Sequence, residues 1–152
     1  MKSAFTMIEL IFVIVIIGIL ASIAAIKLGA TRDDAKITAT VSNIKVASSD
    51  IIEYAVSQAK LEDNITAMSD ALQSMVDANQ ATLENNSSIK IKMGSINDCI
   101  TFKIEKTSTN SLLKIDDGNA SGDEMCQRLQ KNINTLNYPI KIKGATINNS
   151  WI

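Results

Sequence analysis

Cys99 and Cys126 are the whole cysteine inventory of this 152-residue chain, and it contains no histidine. In an oxidising compartment the two thiols would pair; otherwise they remain two separate buried thiols. A bond between them closes a loop of about 28 residues and stabilises by on the order of 3 kcal/mol in the chain-entropy model. Without histidine the commonest general base and metal ligand is missing, and two thiolates cannot build a four-thiolate zinc site. No grouping of nucleophile, base and oxyanion donor can be named, so the chain does not read as an enzyme.

One loop has a metal-like spacing. Asp117, Asn119, Ser121 and Asp123 alternate, and Gly122 is sixth counting from Asp117. That is how an EF-hand-like Ca²⁺ loop opens, with oxygen ligands on alternate residues and a glycine at the turn. The twelfth position should be a bidentate glutamate and is Arg128, so the match is partial. Ser121 followed by Glu124 is equally a capping box that opens a helix at Asp123.

Lys90, Lys92, Lys103, Lys106, Lys141 and Lys143 form the other chemical feature. If several share one sheet face they make a basic patch able to hold nucleic acid; the ordinary alternative is solvated lysines that protect strand edges. The whole-chain formal charge of -1 gives no general attraction to polyanions, and 4% aromatics leaves few stacking platforms.

The elements that must carry these residues follow from periodicity. Leu10 to Ile26 is 17 residues without a charge, roughly 26 Å of helix and near the short limit for a bilayer span. Lys27 marks its end. Ile37, Val41, Ile44, Ala47, Ile51 and Tyr54 then recur every three or four residues, an amphipathic stripe that predicts helix to about Lys60. Gly18 and Gly29 are the weak points of a continuous helix. A second helix is expected over Ile65 to Glu84. Period-two alternation predicts strands around Ile89–Ile91, Ile100–Ile104, Leu112–Ile115 and Ile140–Ile142. The Gly/Asn/Asp-rich loop Asp116–Gly122 leads into a helix expected near Asp123–Asn134, and Gly144 turns the chain into a last strand near Thr146–Trp151. The fold class is α+β: a long N-terminal helix packed on a small C-terminal antiparallel β-sheet.

The first residues are more specific than hydrophobicity alone. Glu9 stands at the head of the apolar run, where a secretory signal wants basic residues and a plain anchor wants no acid. Phe5-Thr6-Met7-Ile8-Glu9-Leu10, the Ile/Val run and Gly18-Ile19-Leu20-Ala21 resemble the class III signal of type IV prepilins and type II secretion pseudopilins. The resemblance covers about the first 30 residues. It implies cleavage by a prepilin peptidase between Ala4 and Phe5 and N-methylation of Phe5. The family usually has glycine where this chain has Ala4, and many members carry a proline beyond Gly18 that is missing here.

The implied organisation is a leader, 1–4; a transmembrane and filament-core half-helix, 5–28; its amphipathic soluble half, 29–60; and a globular α+β domain, 61–152. The implied role is a structural subunit of a type IV pilus-like filament, such as a type II secretion pseudopilus. A DNA-uptake pilin and a monomeric membrane-anchored periplasmic binding protein are the alternatives. Membrane lipid would surround the apolar helix before assembly, with the C-terminal domain periplasmic; homo-oligomerisation, a platform protein and an ATPase would follow. Glu9 would pair with the Phe5 amine in its own chain or a neighbour's, and Gly18 would lie in the assembled helix bundle. Major pseudopilins bind calcium in a C-terminal loop, which bears on Asp117 to Asp123.

Overall fold

The computed structural model describes residues 6–107, 110–134 and 136–142. The cleavage pair Ala4 and Phe5, Lys143 and the strand expected near Thr146–Trp151 lie outside the described residues. The chain divides into two compact units, Met1–Lys36 and Ile37–Ile152. A single helix, α1 (Met7–Gln58), contributes to both.

In the first unit α1 is apolar from Met7 to Ala24, with a mean hydropathy of 2.8 and none of that stretch buried. No proline interrupts it, and Gly18 and Gly29 are both helical. A methyl group at either glycine would meet nothing within 4 Å. Ser22 donates its hydroxyl to the Gly18 carbonyl at 2.9 Å, so this one polar side chain is satisfied inside its own helix, as an apolar environment requires.

In the second unit α1 buries Ile37, Thr40, Ile44, Ala47, Ser48, Ile51 and Ala55. Their spacing of three and four residues puts them on one face. That face joins a core cluster with Ile89, Ile91, Ile100, Phe102 and Leu113. The stripe read from the sequence is therefore core, with Val41 and Tyr54 at its half-buried margin. Ala59, at a φ of 53°, turns the chain out of α1.

The helix expected over Ile65 to Glu84 is a correction. That stretch holds a 3-10 turn at Ile65–Met68, a short helix α2 (Asp70–Asp77) and a strand β1 (Ala81–Asn85). Asn64 and Ser69 cap the first two by accepting the Thr66 and Leu72 N–H groups. Asn79, at a φ of 56°, ends α2: its N–H reaches the Val76 carbonyl and that of Gln80 reaches Met75. This is a Schellman closure, with asparagine taking the left-handed place that glycine usually fills. Leu83 fitted a helical spacing but sits exposed on β1.

The remaining strands are β2 (Ser88–Met93), β3 (Ile96–Lys106), β4 (Ser111–Asp117) and β5 (Ile140–Ile142), with α3 (Glu124–Ile133) between the last two. Among the described residues the sheet is five-stranded and runs β1-β2-β3-β4-β5, every neighbouring pair antiparallel. The architecture is α+β, with helices packed on an antiparallel sheet.

A bulge between β2 and β3 sets the position of one chemical residue. Ile91 pairs with Ile100 and Met93 with Ile96, so β3 carries extra residues over that interval. Strict alternation fails there, and Cys99 and Ile100 are both fully buried.

Candidate functional site

The head of α1 is closed by a reciprocal pair. Thr6 is the residue before the first helical turn, and its Oγ1 accepts the Glu9 N–H at 3.3 Å. Glu9 reaches back, its Oε2 accepting the Thr6 N–H at 3.0 Å and the Thr6 hydroxyl at 2.7 Å. Two orphan N–H groups of the helix start are satisfied by each other's residue, which is a capping box. The carboxylate also complements the positive end of the helix dipole. An acid beside the apolar stretch Met7–Ala24 is thereby given hydrogen-bond partners before any second chain arrives, which lowers the penalty of placing it near hydrocarbon. From sequence, Glu9 is expected to meet the Phe5 amine; Thr6 is a partner that the fold adds. The Thr-x-x-Glu spacing was the signal that could have found it.

The first 25 residues match the family model of the prokaryotic N-terminal methylation motif. A class III prepilin-type signal opens this chain. The motif is that of type IV pilins and pseudopilins, and it points to a structural subunit processed by a prepilin peptidase. Together with the apolar helix it fits a membrane-anchored single-pass protein. No curated protein and no solved structure matches the chain.

The soluble unit holds the other candidate residues. Cys99 on β3 and Cys126 on α3 form a disulfide, with their Cα atoms 5.6 Å apart. Polar contacts brace it. Gln130 Nε2 donates to the Cys99 and Gly118 carbonyls at 2.8 and 2.9 Å, and the Gly118 N–H donates to the Cys99 carbonyl at 2.9 Å. A methyl group on Gly118 would stand 1.9 Å from the Asp98 carbonyl oxygen, so glycine is required by close approach.

At the end of β4 and in the loop after it, Asp117, Asn119 and Asp123 each accept hydrogen bonds within the fold. Asp123, not Ser121, caps α3: its Oδ1 accepts the Cys126 N–H at 2.9 Å, which corrects the Ser121–Glu124 capping box. Its Oδ2 accepts the Ser95 N–H and hydroxyl, both at 2.8 Å, and these donors hold its carboxyl below the usual range, Ser95 N–H contributing most. The β2–β3 turn is thus pinned to the head of α3. Asn119 Oδ1 accepts the Ser121 N–H at 3.0 Å, and Asp117 Oδ2 accepts from the Asn134 amide at 3.1 Å. Among the described residues no three Cys, Asp or Glu side chains group so as to hold a metal ion.

The strand lysines are interleaved with acids. Lys90 bridges Glu84 and Asp98 at 2.9 and 3.0 Å. Lys103 pairs with Glu105 at 3.1 Å and with Asp116, while Lys114 takes the other oxygen of Glu105. Hydrogen bonds from these lysines hold the Glu84 and Glu105 carboxyls below their usual range, and Lys90 and Lys103 are raised in turn, chiefly by Glu84 and Asp116. Lys106 meets Asp63 at 3.4 Å, and Lys92 donates to Asn79 at 2.6 Å. The shared face exists, but β2–β4 present it as a mixed-charge lattice and not as the basic patch the sequence allowed.

Proposed function

We propose that this chain is a structural subunit of a type IV pilus-like filament, the pseudopilus of a type II secretion system or a related machine. It is inserted in the inner membrane through residues 5–28 with its C-terminal domain in the periplasm, cut between Ala4 and Phe5, and assembled by exchange of lipid for neighbouring helices. The observation that carries this is Glu9: an acid held in a capping box at the head of an unburied apolar stretch. A plain anchor needs no carboxylate there.

After cleavage the new amine of Phe5 lies one residue before Thr6. A neighbouring chain's amine then finds a carboxylate already oriented by its own helix. A charge pair of this kind in low dielectric is costly to leave half made, so it fixes axial register more sharply than apolar contacts do. The disulfide fits an oxidising compartment for residues 61–152. Ion pairing of Lys90 and Lys103 favours secretion-type assembly over direct nucleic-acid capture.

Glu9→Ala tests the reading. Export and cleavage should persist while filament yield collapses; a normal yield of filaments from this variant contradicts the assembly role.

A further inference from the structure

Five asparagines stand in Asn-x-Ser/Thr sequences: Asn64, Asn85, Asn86, Asn119 and Asn148. This triplet is the acceptor for N-linked glycan transfer in exported proteins, where the hydroxyl two residues on is read beside the reacting amide. Three of the five also have a carboxylate two residues before the asparagine: Glu62 for Asn64, Glu84 for Asn86 and Asp117 for Asn119. Acids are 16 of 152 residues, so chance would supply about half of one such coincidence. Each acid gives a transferring enzyme a charged handle on the peptide.

The fold separates the three. Thr66 is 6% exposed and donates its hydroxyl to Asn64 Oδ1 at 3.0 Å, so the Asn64 triplet is closed on itself. Ser88 is 5% exposed and donates to Glu84 at 3.1 Å, so the hydroxyl that would be read beside Asn86 is buried and already engaged. Asp117, at the end of β4, and Asn119 and Ser121, in the loop that follows, are all exposed, and Asp117 accepts from the Asn134 amide through Oδ2 at 3.1 Å. The turn there is held through Asn119 Oδ1, which accepts the Ser121 N–H, and not through the nitrogen that would react.

We propose that Asn119 is an N-glycosylation site of the folded, exported domain, and that Asp117 and Ser121 are its recognition residues. The co-substrate is an oligosaccharide carried on a lipid pyrophosphate. Asn119 Nδ2 attacks the anomeric carbon, the carbon–nitrogen bond forms, the carbon–oxygen bond to phosphate breaks, the lipid pyrophosphate leaves, and Nδ2 gives up one proton to solvent. The alternating Asp117, Asn119 and Ser121 then have a use that needs no metal. The inference rests on the export of residues 61–152 proposed above.

The purified, oxidised full chain, incubated with an oligosaccharyltransferase that reads acid-preceded sequons and its lipid-linked donor, tests it. Tryptic digestion leaves peptides 93–103 and 115–128 joined through Cys99 and Cys126, so one species reports both disulfide and glycan. The glycan mass should appear on the 115–128 arm, vanish in Asn119→Gln and Ser121→Ala, persist in Ser121→Thr, and fall several-fold in Asp117→Asn. An unmodified Asn119, or transfer to Asn64 or Asn86 in its place, overturns the inference. Reduced Cys99 and Cys126 in freshly lysed cells, with transfer intact in the assay, overturns the export reading and not the acceptor.

Discussion

Thr6 and Glu9 cap one another: the threonine hydroxyl takes the Glu9 N–H, and the glutamate takes the Thr6 N–H and hydroxyl. The acid at the head of the apolar helix therefore has a role within the single chain as well as the one proposed in the filament. Substitutions at the two positions should separate these roles. Thr6→Ala removes the cap but leaves the carboxylate, destabilising the helix start by about 1 kcal/mol. Faster amide exchange over the first turn in detergent, with filament yield reduced less than in Glu9→Ala, is the expected outcome. Equal loss of filaments from both variants would mean that the cap alone matters.

The disulfide should carry much of the stability of the second unit. Cys99→Ser with Cys126→Ser should lower unfolding free energy by about 3.5 kcal/mol, the chain-entropy value for a loop of this size. Denaturant titration of the full chain in detergent, followed by a probe in the sheet, measures it.

The contacts that brace the disulfide make a sharper test of the geometry. Gln130→Ala leaves the Cys99 and Gly118 carbonyls without the donor they share and should destabilise by about 1–3 kcal/mol. Gly118→Ala forces a methyl group against the Asp98 carbonyl, where overpacking should destabilise by about 3 kcal/mol or more. A neutral Gly118→Ala would contradict the close approach of β3 to this loop.

Asp123 gives the fold a pH dependence of known sign. Its donors depress its carboxyl below the ordinary 3.8, so its stabilisation is fully present above that value and is lost as pH falls through the lower folded pKa. The stability gap between the native chain and Asp123→Ala should be widest near neutral pH and shrink in acid below about pH 3.8. Paired denaturant curves at pH 7 and in strong acid measure the gap.

The paired lysines predict weak nucleic-acid binding. Duplex DNA retention by the full chain should be lost at about 0.15 M salt, where exposed charges are screened beyond about 8 Å. Retention that survives this salt and falls in Lys90→Ala would return the basic patch to consideration.

How much of this was legible follows from the kind of signal each residue carried. Ile37, Ile44 and Ile51 repeat strongly enough that one buried helix face was readable, and Phe102 between Thr101 and Lys103 announced a half-buried strand. Leu83 misled because one apolar residue fits either period; the Asn79 closure that ends α2 was the overlooked local cue. The salt-bridge lattice was out of reach, because which acid meets Lys90 depends on strand register, set by the bulge near Cys99. Ser95 bonding to Asp123 is a contact across 28 positions, so the choice of Asp123 over Ser121 as the cap needed the folded sheet.

The mature N-terminus tests the central claim most directly. Intact-mass and N-terminal peptide analysis of the protein taken from its native membrane should find a chain that begins at Phe5 and carries one N-methyl group. A chain that still begins at Met1, or one cut beyond the apolar helix near Ala24, would contradict the account.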